Sequence, residues 1–144
     1  MKSLCHKELR KIFSRVKISI SEENFLLVSL NREDCGLIGK ELSRFQHFSS
    51  ITLEGKESTL IVSEEDWSRV SPLVGAFKLQ GPFKLIDFGL ELDLNTVGFL
   101  AEVTRILAEE GISILALSTY KRDYLLVKAP DADQAMKALQ SLPN

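Results

Sequence analysis

Apolar and polar residues alternate from Leu85 to Leu92, where Ile86, Phe88, Leu90 and Leu92 are separated by Asp87, Gly89 and Glu91. A period of two predicts a strand with one buried face. Asp93-Leu-Asn-Thr96 breaks the pattern, and from Val97 the spacing turns helical. Phe99, Val103 and Ile106, and likewise Leu100, Val103 and Leu107, fall three and four residues apart and make one broad apolar face. Glu109-Glu-Gly111 ends this helix, with Gly111 as the residue expected past a helix C-terminus. Ile112 to Ser118 reads as a nearly continuous apolar strand, Tyr120 to Asp123 turns the chain, and Tyr124 to Val127 returns as another strand. Pro130-Asp131 opens a last helix with Ala135, Leu139 and Leu142 on one face, and Asp131 and Gln134 have the spacing of a capping box.

The first half repeats this order in weaker form. Leu4 to Val16 predicts a short amphipathic helix, and Arg15 to Ile20 alternates as a strand. Phe25 to Leu30 is a second strand, after which Leu37, Ile38, Leu42 and Phe45 place a short helix over Gly36–Phe45. Ser49–Leu53 and Thr59–Val62 flank Glu54-Gly55-Lys56, a hairpin signal. Glu64–Val70 is a small helix with Trp67 on its buried side, and Ala76–Gln80 is one more strand. Gly81-Pro82 reads as the seam, dividing residues 1–80, with the N-terminal helix, an extra strand and a first module, from 81–144, a second module. The second module then lacks a fourth strand, and the spare N-terminal strand is free to fill that edge.

Composition narrows the class. With 144 residues and 44% hydrophobic content the chain can bury a core. The basic residues Lys2, His6, Lys7, Arg10 and Lys11 interrupt the N-terminus, so neither a signal-peptide core nor a membrane span is expected, and a cytoplasmic location is the default. A formal charge of -2 offers no general attraction to nucleic acid. The cations of the first helix are expected on the solvated face of a docked helix, without a membrane or nucleic-acid partner. Cys5, His6, Cys35 and His47 have no close ligand-pair spacing, so no metal site and no cofactor is expected.

No nucleophile elbow, zinc-protease helix, phosphate loop or dinucleotide fingerprint is present, which disfavours an enzyme. Binding makes better use of the polar cluster. A helix starting near Thr96 or Val97 presents unpaired N–H groups and the positive end of its dipole, where a small carboxylate fits. Gly98 in the first turn costs up to about 1 kcal/mol relative to alanine, which suggests a close approach there. Asp93 or Asp123 could hold an ammonium group. Carboxylate plus ammonium means an α-amino acid. Asn95 or Thr96 equally has the chemistry of a helix cap.

The runs Val97-Gly-Phe-Leu-Ala101, Leu107 to Ile114, and Leu117-Ser-Thr-Tyr-Lys-Arg-Asp-Tyr-Leu-Leu-Val127 resemble an ACT domain, and more narrowly the CASTOR-like subgroup. Phe48-Ser-Ser-Ile-Thr52, Glu57 to Val62 and Ser63-Glu-Glu-Asp66 resemble that subgroup's first half. The resemblance implies an α+β fold of two tandem ferredoxin-like (βαββαβ) ACT modules, with antiparallel sheets and helices on one face. It implies a regulatory sensor that binds an amino-acid ligand at an interface between modules, as a homodimer; its output would come through a separate effector protein or not exist. The alternative is a non-binding assembly subunit.

Residue by residue, the resemblance carries the ligand-binding role to the loop containing Asp93, Asn95, Thr96, Val97 and Gly98, and to Thr119, Tyr120 and Asp123 of the hairpin. Asp123 matches the hairpin aspartate that contacts ligand in arginine sensors of the CASTOR type. Two departures stand out. Leu90-Glu91 replaces the Gly-Pro common before the position of Asp93, and Arg122 replaces the usual hairpin threonine, placing a bulky cation beside the site. The edge-filling role of the N-terminal strand is open to test. Removal of residues up to Ile20 is expected to destabilise the second half as well, read as a lowered melting temperature, and unchanged melting would exclude it.

Overall fold

The computed structural model describes residues 6–92 and 96–142. In chain order the elements are α1 (His6–Arg15), β1 (Ser19–Ile20), β2 (Phe25–Asn31), α2 (Cys35–Gly39), β3 (Ser50–Glu54), β4 (Glu57–Ser63), α3 (Glu64–Val70), β5 (Phe77–Asp87), α4 (Phe99–Glu109), β6 (Ile114–Ser118), β7 (Asp123–Lys128) and α5 (Ala132–Leu139). Contacts divide the chain into two compact units. One is Glu23–Phe83, and the other joins Met1–Glu22 to Lys84–Asn144. The N-terminal helix and strand therefore cluster with the second module, where a linear cut after Gln80 would leave them with the first.

The first module follows a βαββαβ order in which the antiparallel strands lie β3-β4-β2-β5. Alternate residues Leu26, Val28 and Leu30 of β2 enter one core with Ile38, Leu60, Val62, Trp67 and Val70. The Trp67 indole meets the Phe77 ring edge-on at 5.0 Å, so it is a core anchor. The helix expected over Gly36–Phe45 is interrupted, with α2 stopping at Gly39 and a 3-10 turn following at Leu42–Arg44. Gly81-Pro82 does not break the chain either. β5 runs through it, and its pairing with β2 shifts register between Phe25 and Leu27, the irregularity at which a strand accommodates proline.

A polar clamp closes this module. The Ser63 hydroxyl accepts the Asp66 backbone N–H at 3.0 Å and caps α3. The fully buried Asp66 carboxylate accepts the N–H groups of Gln46 at 3.0 and 3.1 Å and of His47 at 3.1 Å. Those bonds offset its desolvation and fix the loop before β3. The His47 ring then lies 3.0 Å from Glu65 and 3.5 Å from Glu23.

The second module has its strands in the order β1-β5-β7-β6, with β1 antiparallel to β5 through Ser19↔Asp87 and Ile20↔Ile86. The last four residues of β5 act as its first strand, and β1 stands where a fourth belongs. Ser21 N–H donates to the Leu85 carbonyl at 2.9 Å, and Lys17 N–H to Phe88 at 3.1 Å, extending the pairing on both sides. Gly89, at φ 70°, lies so close to Lys17 that a Cβ would stand 2.6 Å from its carbonyl oxygen. The Asp87 carboxylate accepts Gly89 N–H at 2.8 Å, and this turn stops the strand at Asp87 where alternation alone extends it to Leu92.

α1 buries Phe13 in the same core, 5.6 Å from the Phe99 ring, which also meets Phe88 at 5.2 Å. Arg10, Lys11 and Arg15 stay exposed, the docked-helix arrangement. The capping box at α5 does not form. Asp131 already has helical dihedrals, so its side chain does not cap, and the Gln134 amide instead donates to Glu110 at 3.2 Å. Among the described residues no helix is long and apolar enough to cross a membrane.

The clamp gives the first module a pH dependence. The hydrogen bond to Glu65, with the charges of Glu23, Glu65 and Asp66, raises His47 above its ordinary value of 6.5, and burial only partly opposes them. A raised folded-state value stabilises fully below the unfolded value and is lost as pH rises through the folded one. Glu65 is held below 4.5, chiefly by His47, so its share disappears as pH falls through that lowered value. The urea midpoint is expected to fall as pH rises above His47's ordinary value of 6.5 in the wild type and to fall less in His47→Gln; equal slopes would refute the assignment.

Candidate functional site

The hairpin between β6 and β7 is closed by local bonds. Thr119 N–H donates to the Arg122 carbonyl at 2.8 Å, while the Thr119 hydroxyl lies 3.2 Å from both the carbonyl and the N–H of Arg122. Register pairs Ser118 with Asp123 across the two strands, and the Ser118 hydroxyl donates to Asp123 Oδ1 at 2.6 Å. The segment after β5 is tied to this hairpin, because Leu92 N–H donates to the Lys121 carbonyl at 2.9 Å. Lys121 also lies 3.5 Å from Glu91.

Facing the hairpin is the start of α4. Gly98 occupies the cap position at φ 92°, ψ -10°, with no side-chain cap. The first backbone bond of the helix is Glu102 N–H to Gly98 at 3.1 Å, so the N–H groups of Phe99, Leu100 and Ala101 have no partner within it. Hairpin and helix start enclose a cleft of about 230 Å³ lined by Thr96, Gly98, Ser118 and Asp123, with Leu92 at one wall and Arg122 among the hairpin residues. That volume lies below the roughly 300–1,000 Å³ of pockets for drug-sized ligands and suits a small molecule.

Of the residues nominated from the sequence, Thr96, Gly98, Thr119, Tyr120 and Asp123 line this cleft. Val97, between two of them, is 42% exposed and does not line it. Asp93 and Asn95 lie outside the described residues. Gly98 has a different reason from close approach. Among the described residues a Cβ there would meet Leu9 alone, at 3.5 and 3.7 Å, which is ordinary contact, whereas the positive φ is what excludes other side chains. Ser118 was missed, although a hairpin register placing it opposite Asp123 would have found it. The Arg122 guanidinium, 3.6 Å from Asp87, points to a surface pair of modest strength.

The corresponding position of the first module is built differently. Only the 3-10 turn Arg32–Asp34 separates β2 from α2, whereas the chain from Phe88 to Gly98 separates β5 from α4. Arg32 N–H donates to Lys56 at 2.9 Å and its guanidinium to the Gly55 carbonyl at 3.2 Å, fastening that short turn onto the β3–β4 hairpin. Among the described residues no group of three or more His, Cys, Asp and Glu is placed to hold a metal ion.

One module of βαββαβ order and a second of βαββα order edged by the N-terminal β1, each with antiparallel strands and helices, define an α+β protein of ferredoxin-like modules. The chain belongs to the ACT domain family, whose model matches residues 62–141. Its fold is similar to that of a Vibrio cholerae protein of unknown function, at TM-score 0.70 and 23% identity, covering 96% of this chain and 98% of the other. An Agrobacterium tumefaciens protein is similar at TM-score 0.68 and 19% identity, covering 90% of each chain. The ligand-free regulatory subunit of aspartate kinase from Thermus thermophilus is similar at TM-score 0.66 and 13% identity, covering 90% of this chain and 99% of that subunit. At these identities the likeness is one of fold. No curated protein matches the sequence.

The explanation of Gly98 is testable. Gly98→Ala is expected to cost about 1–2 kcal/mol in urea denaturation, from a non-glycine residue held at positive φ, and Gly98→Asn less. Equal losses would show that side-chain volume, not φ, decides.

Proposed function

We propose that the protein is an amino-acid-binding regulatory sensor of the CASTOR-like tandem ACT subgroup. The observation that carries this reading is the convergence of the opening amides of α4 and the Asp123 carboxylate on one small cleft. The amides and the helix dipole suit the ligand's α-carboxylate. One oxygen of Asp123 is held by Ser118 and the other accepts no hydrogen bond among the described residues, so it is available to an ammonium group. The same lining supports binding without chemistry, since the Ser118 hydroxyl is committed to Asp123 and no imidazole lines the cleft.

A second copy of the chain completes the site. Support comes from Tyr120, 87% exposed at the hairpin tip, and from Val97, two large apolar side chains flanking the cleft. Ligand bound across a homodimer interface would stabilise dimer and bound state together, and the change would be read by a separate effector protein in the cytoplasm.

A thermal-shift screen against the common amino acids at millimolar concentration tests this, repeated with Asp123→Ala and paired with mass measurement by light scattering. Ligand at one hundred times its dissociation constant stabilises by about 2.7 kcal/mol, a rise of several degrees. The expected outcome is a dimer whose melting rises with a particular amino acid and does not rise in Asp123→Ala. A well-folded protein that responds to none of them would make it an assembly subunit.

A further inference from the structure

Resting on the amino-acid reading of the cleft, the geometry points to α1 as part of the binding apparatus: Leu9 and Phe13 are positioning residues for the opening amides of α4, so that ligand binding and the docking of α1 are coupled. The first turn of α4 connects the two. Its opening N–H groups belong to Phe99, Leu100 and Ala101, which line the cleft, while the Phe99 ring lies 5.6 Å from that of Phe13. The Leu9 methyl groups stand 3.5 and 3.7 Å from the place of a Cβ on Gly98, the cap residue of the same turn. Leu92 and Leu100 serve both sides, since they line the cleft and pack against the core that contains Phe13.

Among the described residues no side chain caps α4, and Gly98 is the residue type whose backbone has the most conformations open to it. Packing from α1 restricts that freedom. A ligand carboxylate that uses the opening amides needs them aligned, and a docked α1 aligns them before the ligand arrives, which lowers the ordering cost of binding. Linkage makes the effect reciprocal: whatever factor a docked α1 adds to ligand affinity, bound ligand adds to the docking of α1. The helix is built to respond. Glu8, Arg10, Lys11 and Arg15 are exposed, and the Ser14 hydroxyl donates within the helix to the Lys11 carbonyl at 2.7 Å, so Leu9, Ile12, Phe13 and Val16 make its seat on the core. An apolar seat of this kind releases without leaving a buried polar group unpaired.

The experiment titrates the whole protein with each of the common L-amino acids by isothermal titration calorimetry, in wild type, Leu9→Ala, Leu9→Met and Leu142→Ala. Leu142 packs in the same core but follows α5 and does not line the cleft. The expected result is an affinity lowered about fivefold or more in Leu9→Ala and kept in Leu9→Met and in Leu142→Ala, although Leu142→Ala also melts earlier than wild type. Hydrogen exchange of the wild type reads the reciprocal effect without any substitution. A saturating dose of whichever of these amino acids binds is expected to slow exchange in α1 more than in α5. Unchanged affinity in Leu9→Ala, an equal loss in Leu142→Ala, or exchange in α1 that does not respond to the ligand would each overturn the coupling and leave the amino-acid reading standing. Binding of none of the amino acids to the wild type, together with no response in the thermal screen, would overturn both.

Discussion

The second module depends on an antiparallel pairing that its own sequence cannot complete. A β-α-β-β-α segment leaves one side of its first strand without partners, and unpaired backbone groups at a sheet edge are both costly and prone to misassociation. The chain resolves this with β1, only two residues long, reinforced by backbone bonds from Lys17 to Phe88 and from Ser21 to Leu85. Gly89 lets the two backbones approach as closely as that pairing requires. α1 adds Phe13 to the core beside Phe99, so the same N-terminal segment serves both the sheet edge and the packing behind the helix that opens the cleft.

That arrangement has a consequence for the site. Phe99 is both the first residue of α4 and a core residue held between Phe13 and Phe88. Packing of Phe99 sets the direction of the helix start and of its opening amides, and among the described residues no side chain caps it. The hairpin opposite is fixed by its own Thr119 bonds and by Leu92 reaching Lys121. Two separately braced elements thus face one small cleft. In the first module the equivalent turn is short and fastened by Arg32 to the β3–β4 hairpin.

Much of the fold was legible as local pattern. The alternation of Phe25 to Leu30, the helical spacing from Phe99 to Leu107, Trp67 as a core anchor and the β6–β7 hairpin each follow from side-chain periodicity, because burial of one face imposes it residue by residue. The misplaced features depended on something outside the local window. The strand from Leu85 ends early because Asp87 turns back onto Gly89. Gly81-Pro82 lies within β5 because β2 absorbs the irregularity. Asp131 does not cap because its backbone is already helical.

The sequence by itself determined the tandem α+β architecture, the helix and hairpin of the second module, and Thr96, Gly98, Thr119, Tyr120 and Asp123 as neighbours of a polar end. Only the tertiary structure decided that β1 joins β5, that Gly98 is there for its positive φ, that Ser118 holds Asp123 and that Arg122 reaches Asp87. The division has a physical cause. Periodicity records which face of an element is buried. Partner choice, backbone dihedrals and the alignment of charges arise from contacts between segments far apart in the chain, and these leave no periodic mark on either segment.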